Sequence, residues 1–330
     1  MKKIFALLLS AALLVTLLAA CGGGNTTDTD TDTQEPATDA STTQVEEQEP
    51  DTGDASKDDP LNQDEIGEKE LLVVSFGTSY NDSRRETIGA IEKAMQTAFP
   101  DYSVRRAFTS QIIIDHVKDR DGVTIDNVEQ ALERAVNNGV KTLVVQPTHL
   151  MNGLEYEELT DELAKYSDSF EKIAIGDPLL TSDADFEAVM TAITDATKDA
   201  ADGKTAICFM GHGTTADSNS VYSKMQTLLT DKGFNDYYVG TVEATPSLDD
   251  VLAAVQKGNY EKVILRPLMI VAGDHANNDM AGDEDDSWQS TFEKAGYTVD
   301  CQVEGLGQLE AIQQLFVEHA KAAVASAEAE

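Results

Sequence analysis

Three residues stand out as a set that could hold an ion and move a proton: His212, Glu243 and His275. Each follows an apolar run. Residues 207–210 lead into Gly211 and His212, the run at 238–242 ends on Glu243 in GTVEATP, and the run that starts at 263 stops at Gly273, Asp274 and His275 in PLMIVAGDHANNDM. A buried strand that ends in Gly beside an ionisable residue delivers that residue to the mouth of an open α/β sheet. Imidazoles ligate divalent cobalt, nickel, iron or zinc, and a carboxylate completes such a set or acts as a base. A lone histidine more often caps a helix or bonds a loop carbonyl. Two strand-end histidines among only five in the chain, with a strand-end glutamate, point instead to a metal site.

The elements that must position them are read from periodicity. Strands are predicted at 71–76, 104–108, 142–146, 173–176, 206–210, 238–242, 263–266 and 299–303. Amphipathic helices lie between them, for example at 82–99, 125–138 and 183–200, and a last one at 309–325. This alternation gives an α/β fold with parallel sheets covered on both faces. The strands divide into two sets of four with matching ends. Phe76-Gly77-Thr78 answers to His212-Gly213-Thr214, and Pro147, Gly153 and Glu155 answer to Pro267, Gly273 and His275. Such correspondence indicates an internal duplication: two similar Rossmann-like domains, 70–200 and 201–330, facing a central cleft, with the metal site on the second.

The first seventy residues are built differently. Lys2 and Lys3 precede an apolar run at 4–18 that ends in Leu-Ala-Ala-Cys21. Residues 1–20 therefore read as a signal peptide too short to span a membrane, and LAAC resembles the bacterial lipoprotein box, which implies a lipid on the Cys21 sulfur. Residues 21–69 read as a disordered acidic tether, because the segment 25–70 carries sixteen acids against two lysines and almost no large apolar residue. The expected location is exported and lipid-anchored, on the outer face of the cell membrane or in the periplasm. The formal net charge of −36 argues against nucleic acid or anionic lipid as a partner, so membrane contact is expected through the anchor only. Association into a homo-oligomer is compatible with these features.

The folded part resembles the anaerobic sirohydrochlorin cobaltochelatases, within the nucleotide-independent tetrapyrrole chelatases that include ferrochelatases. The resemblance rests on LLVVSFGTSY (71–80), RAFTS (106–110), RDG (120–122), HLMNGLEYE (149–157), MGHGT (210–214), VE (242–243), PLMIVAGDHANNDM (267–280) and DSW (286–288). It implies that a metal ion is held between His212, His275 and Glu243. It also implies insertion of Co2+, with Fe2+ or Ni2+ as alternatives, into sirohydrochlorin with loss of two protons and no nucleotide. His212 is the first choice for base and His275 for ligand, and the order could be reversed. For the substrate's carboxylates, the expected partners are Arg106 and the loop Gly77, Thr78, Ser79 and Tyr80, with Arg84, Arg85 and Arg266 behind them. For Arg84 and Arg85 a surface ion pair is the preferred reading.

A second class of function follows from the exported location: a tethered metal or tetrapyrrole (haem) binding lipoprotein that feeds an importer. It would need at most one axial ligand, whereas a chelatase needs a base and an unsaturated metal site, so the trio favours the enzyme. His149 is expected to be structural or at the cleft rim, and His116 and His319 structural or solvated. Cys208 and Cys301, each within an apolar strand, are expected to be buried thiols.

Overall fold

The computed structural model describes residues 51–329. The predicted signal peptide, Cys21 and the tether up to residue 50 lie outside the described residues. Among the described residues eight strands form in chain order: β1 Lys69–Ser75, β2 Ser103–Phe108, β3 Thr142–Pro147, β4 Lys172–Ile175, β5 Thr205–Gly211, β6 Tyr237–Thr241, β7 Lys262–Pro267 and β8 Thr298–Cys301. Their ends differ from the sequence reading by at most two residues. The helices are α1 Asn81–Glu86, α2 Ile88–Ala98, α3 Gln111–Asp121, α4 Val128–Asn137, α5 Leu154–Ala164, α6 Asp183–Thr197, α7 Ser220–Asp231, α8 Leu248–Val255, α9 Trp288–Lys294 and α10 Glu310–Ala329. The helix expected over 82–99 is broken at Thr87, whose hydroxyl donates to the Ser83 carbonyl.

Two sheets result, ordered β2-β1-β3-β4 and β6-β5-β7-β8, with every neighbouring pair parallel. The shared order and the equivalent registers, Ser75 opposite Phe108 and Gly211 opposite Thr241, are those of a duplicated unit. Side chains alternate between faces along a strand. Leu71 and Val73 of β1, Ile207 and Phe209 of β5 and Ile264 of β7 all enter one large core shared by the two sheets. Their neighbours Leu72 and Val74 turn to the outer face of the first sheet, and Ala206, Cys208 and Met210 to that of the second. Burial on both faces explains why these strands read as continuous apolar runs.

The boundary read at residue 200 divides the strands but not the packing. Helix α10, last in sequence, lies against β3, β4, α2 and α6, and places Phe316, Ala320 and Ala323 in the shared core. Lys172 at the start of β4 donates to the Ala327 carbonyl at 2.9 Å. The described residues accordingly belong to one compact unit. Among them no helix is long and apolar enough to cross a membrane.

The tether ends earlier than residue 69. Residues 52–64 form a strap along β2, the edge strand of the first sheet, and cover backbone groups that an edge leaves open. The Arg106 N–H donates to the Leu61 carbonyl at 3.1 Å, the Gln63 amide to the Val104 carbonyl at 3.3 Å and the Asp82 N–H to the Thr52 carbonyl at 2.9 Å. Leu61 is buried in the shared core. The low apolar content of this stretch hid its order, because its attachment is made by long-range hydrogen bonds and one leucine. Cys208 is a buried free thiol with its pKa pushed up by burial, and Cys301 is half-buried, its pKa pushed up to about 11, chiefly by burial.

Candidate metal centre and cleft

In the second sheet β5 is flanked by β6 and β7, so the carboxyl ends of these three strands are neighbours. Adjacent strands lie about 4.7–4.9 Å apart, and the residues that follow them are His212, Glu243 and His275. The turn after β5 is drawn onto the turn after β6: the Val242 N–H donates to the Gly211 carbonyl and the Glu243 N–H to the His212 carbonyl, at 3.0 and 2.9 Å. Gly213 makes that approach possible. Its φ is +90°, and a Cβ there would lie 2.8 Å from the Ala244 Cβ.

The structure brings all three predicted ligands together. One ligand atom from each of His212, Glu243 and His275 lies within 4.8 Å of the others, and the two imidazole centroids are 4.6 Å apart with planes at 76°. Glu243 Oε1 is 4.0 Å from His212 Nε2. His212 Nδ1 donates to the Gly213 carbonyl at 2.7 Å and His275 Nδ1 to the Asp279 carboxylate at 2.8 Å. Each ring thereby keeps the Nε2 lone pair for a metal, the orientation that an outer hydrogen bond imposes on ligating histidines. Bonds of about 2.0–2.2 Å to a first-row ion would require the three groups to close by about 1 Å. Their side chains are free to do so, being 46 % (His212), 59 % (Glu243) and 34 % (His275) exposed. Asp279 was not singled out in the sequence; it follows His275 by four residues across a turn of π-helix, Ala276–Met280, a form often met at functional sites.

The trio opens into a cleft of about 490 Å³ between the ends of the two sheets. Its first-sheet wall contains Phe76, Ile113, Met151 and Leu154, two of them among the large apolar side chains left exposed: Phe76 at 49 % and Leu154 at 55 %. Phe76 occupies the position that His212 has in the second sheet, and Glu155, also in the wall, occupies that of His275. Gly77, Thr78 and Ser79 line the cleft as expected, while Tyr80 stands behind them, its phenol pKa raised by burial and by nearby Asp274. The amide groups of this loop are partly taken: Tyr80 N–H donates to Thr78 Oγ1, and Asp82 N–H to the strap.

Arg106 is not a cleft residue. It sits inside β2 two residues short of the strand's end, 1 % exposed, and its guanidinium is shared by Glu92 and Asp58 at 2.6–3.0 Å. Burial alone would lower its pKa, but the two carboxylates outweigh burial and raise it. Arg84, expected in a surface pair, is fully buried against Asp58, and Arg266 is held by Gln302 and Glu304. Only Arg85 makes the expected surface pair, with Asp82 and Glu86. Among the described residues lining the cleft there is no arginine or lysine, so a polyanionic ligand would direct its carboxylates towards the mouth.

Known proteins resemble this chain along most of its described residues. The family model for cobalt chelatase (CbiK) matches residues 69–325. The chain belongs to the cobalt chelatase family. A relative from Salmonella typhimurium named sirohydrochlorin cobaltochelatase is 38 % identical over 251 residues, covering 76 % of this chain and 94 % of its own. Sirohydrochlorin cobaltochelatase CbiKC of Nitratidesulfovibrio vulgaris is 30 % identical over 260 residues, covering 78 % and 91 %. The cobalt chelatase fold extends to SirB from Bacillus subtilis, solved with Fe3+, at a TM-score of 0.57 and 14 % identity over 80 % of this chain and 98 % of that one.

The remaining histidines divide as follows. His116 is exposed beside Arg120, and His319 bridges the Asp177 carbonyl and the Asp185 carboxylate at 3.1 Å. His149 is buried in the cleft wall, and neither ring nitrogen meets a hydrogen-bond partner among the described residues. Burial pushes its pKa down to about 4, with Glu155 pulling weakly the other way. The unfolded chain, with a histidine pKa near 6.5, then takes up this proton first as pH falls. Stability from this group is complete above about pH 6.5 and is lost towards pH 4, on the order of 3 kcal/mol in all. His149→Leu should flatten the decline of melting temperature over that window relative to the parent chain. Parallel declines in the two chains would show that His149 is not held neutral by the fold.

Proposed function

We propose that this chain inserts Co2+ into sirohydrochlorin, releasing two protons and using no nucleotide. The observation that carries the reading is a three-ligand site, open on one side, at the edge of a cleft whose opposite wall presents Phe76, Met151 and Leu154. The two relatives named above supply the substrate and the metal by their names. Fe2+ and Ni2+ suit the same donors, since imidazole and carboxylate groups accept all three ions and selection depends on geometry and supply.

A ring laid between the walls would set one face against Phe76 and Met151 and the other against the trio. Glu243 and His275 hold the ion through one oxygen and one Nε2 while its waters leave. His212 would be the third ligand until the ion passes to the ring; its Nε2, freed at that moment while Nδ1–H stays on the Gly213 carbonyl, then takes a pyrrole proton. The second pyrrole proton would pass to the Glu243 carboxylate as the ring nitrogens displace it from the ion, so that two N–H bonds of the ring break while one N–H forms on His212 and one O–H on Glu243. A receptor for an intact metal complex would have no use for two orientated imidazoles and a carboxylate converging on one point.

The wild-type chain should convert sirohydrochlorin and Co2+ to the cobalt complex, followed by absorbance, well above the uncatalysed rate. His212→Ala and His275→Ala should each lower the rate on the order of 10²-fold or more. Tetrapyrrole or metal binding without turnover in the parent chain would overturn the enzyme reading and leave a capture protein.

We also propose that the chain works outside the cytoplasm, held by a lipid on Cys21 with residues 22–50 as spacer. The support is the LAAC sequence, followed by three glycines and a polar, acidic segment. Cys21→Ala should move the expressed protein from the membrane to the soluble fraction; an unchanged distribution would contradict the anchor.

A further inference from the structure

One carboxylate of the strap enters the ion cluster behind the cleft wall. Asp58, with its side chain 3 % exposed, accepts from Arg84 Nε at 2.6 Å and from Arg106 Nη1 and Nη2 at 2.6 and 3.0 Å. Glu92, 2 % exposed, takes the other edge of Arg106. Two guanidiniums and two carboxylates thus balance in a closed cluster. Three of the four come from the cobalt chelatase domain matched from residue 69 onward, and the fourth comes from the strap ahead of it.

Arg84 spends its remaining donors on the wall of the cleft. Its Nη1 donates to the Thr78 carbonyl at 3.1 Å and its Nη2 to Asn81 Oδ1 at 2.5 Å. Asn81 in turn donates to the strap at the Gly53 carbonyl, 3.1 Å away. Thr78 lines the cleft with Phe76, Gly77 and Ser79. The loop that carries the exposed phenylalanine is therefore anchored from beneath by Arg84, and Arg84 is held in place, and electrically balanced, by Asp58. The metal ligands make no hydrogen bond to this cluster: they sit on turns of the second sheet and are orientated by Gly213, Asp279 and the His212–Glu243 backbone contact, and the His275 loop meets this segment at the Ala272 N–H to Ser83 Oγ bond and where Gly273 lies against Thr78.

We propose that Asp58 is a positioning residue for tetrapyrrole binding, through which a strap outside the family-matched domain fixes the first-sheet wall of the cleft. Arg84 without its carboxylate is a buried, unbalanced cation beside Arg106, and it relaxes by leaving the Thr78 carbonyl. The loop from Phe76 to Ser79 then loses its anchor and the apolar wall its shape. This rests on the reading of the cleft as a tetrapyrrole site.

The test uses the full chain with Asp58→Asn, and with the double variant Asp58→Asn/Arg84→Met, which restores charge balance but leaves the Thr78 carbonyl without its donor. Melting temperature, Co2+ affinity by titration and sirohydrochlorin affinity by absorbance are read for each. Asp58→Asn should lower the melting temperature, weaken sirohydrochlorin binding about tenfold and leave Co2+ affinity unchanged. The double variant should recover melting temperature but not sirohydrochlorin affinity. Recovery of both together, or parental sirohydrochlorin affinity in Asp58→Asn, would reduce Asp58 to a stability role and overturn the proposal. A parental chain that binds no sirohydrochlorin would instead remove the tetrapyrrole reading on which it rests.

Discussion

Parallel strands that lie side by side must end side by side, and the chemistry of this protein depends on that constraint. With β5 between β6 and β7, strand spacing brings the ends of the three strands to one point, and the loop from Leu268 to Asp274 returns His275 to it. His212 and Glu243 need only a short turn after their strands, whereas His275 is set by the loop after β7 and the π-helical turn it opens. Local contacts then refine the arrangement: Gly213 lets two turns touch, the His212 carbonyl holds the Glu243 amide, and Asp279 aims His275. A site built this way is rigid in its backbone and open in its side chains, as suits an ion that must be both captured and released.

The duplication makes the division of labour plain. The first sheet repeats the strand order and offers the same three end positions, but Phe76 stands in place of His212, Ser110 in place of Glu243 and Glu155 in place of His275. Two imidazoles and a carboxylate thus converge on the second sheet only, while the first sheet presents Phe76, Met151 and Leu154 to the cleft. The two copies are bound together by α10, which returns from the second half to cover the first sheet, and by a core that both sheets share. Relative motion of the halves is correspondingly restrained, and adjustment on binding falls to the loops.

Much of this was legible in the sequence because it depends on local pattern. Apolar runs located every strand, and ionisable residues at run ends located His212, Glu243 and His275, since strand ends are where a parallel sheet exposes its side chains. What could not be read depends on faces and distant partners. Arg106 opens RAFTS directly after Arg105, and periodicity does not reveal which partners the two reach: Arg105 goes to Glu70 and Asp126, and Arg106 to Glu92 and Asp58, short of the cleft. The strap looked like tether because its order comes from Asp58 and Leu61, single residues whose partners lie far along the chain. Asp279 was visible as an acid one turn beyond His275, but only the backbone of the π-helix turns it onto the ring.

The central claim is that one divalent ion is bound at once by His212, Glu243 and His275. X-ray absorption of the full chain loaded with one equivalent of Co2+ tests it directly. The account predicts two imidazole nitrogens and a carboxylate oxygen at about 2.0–2.2 Å, with one imidazole lost in His275→Ala. A first shell of oxygen alone, or a spectrum unchanged by His275→Ala, would contradict it.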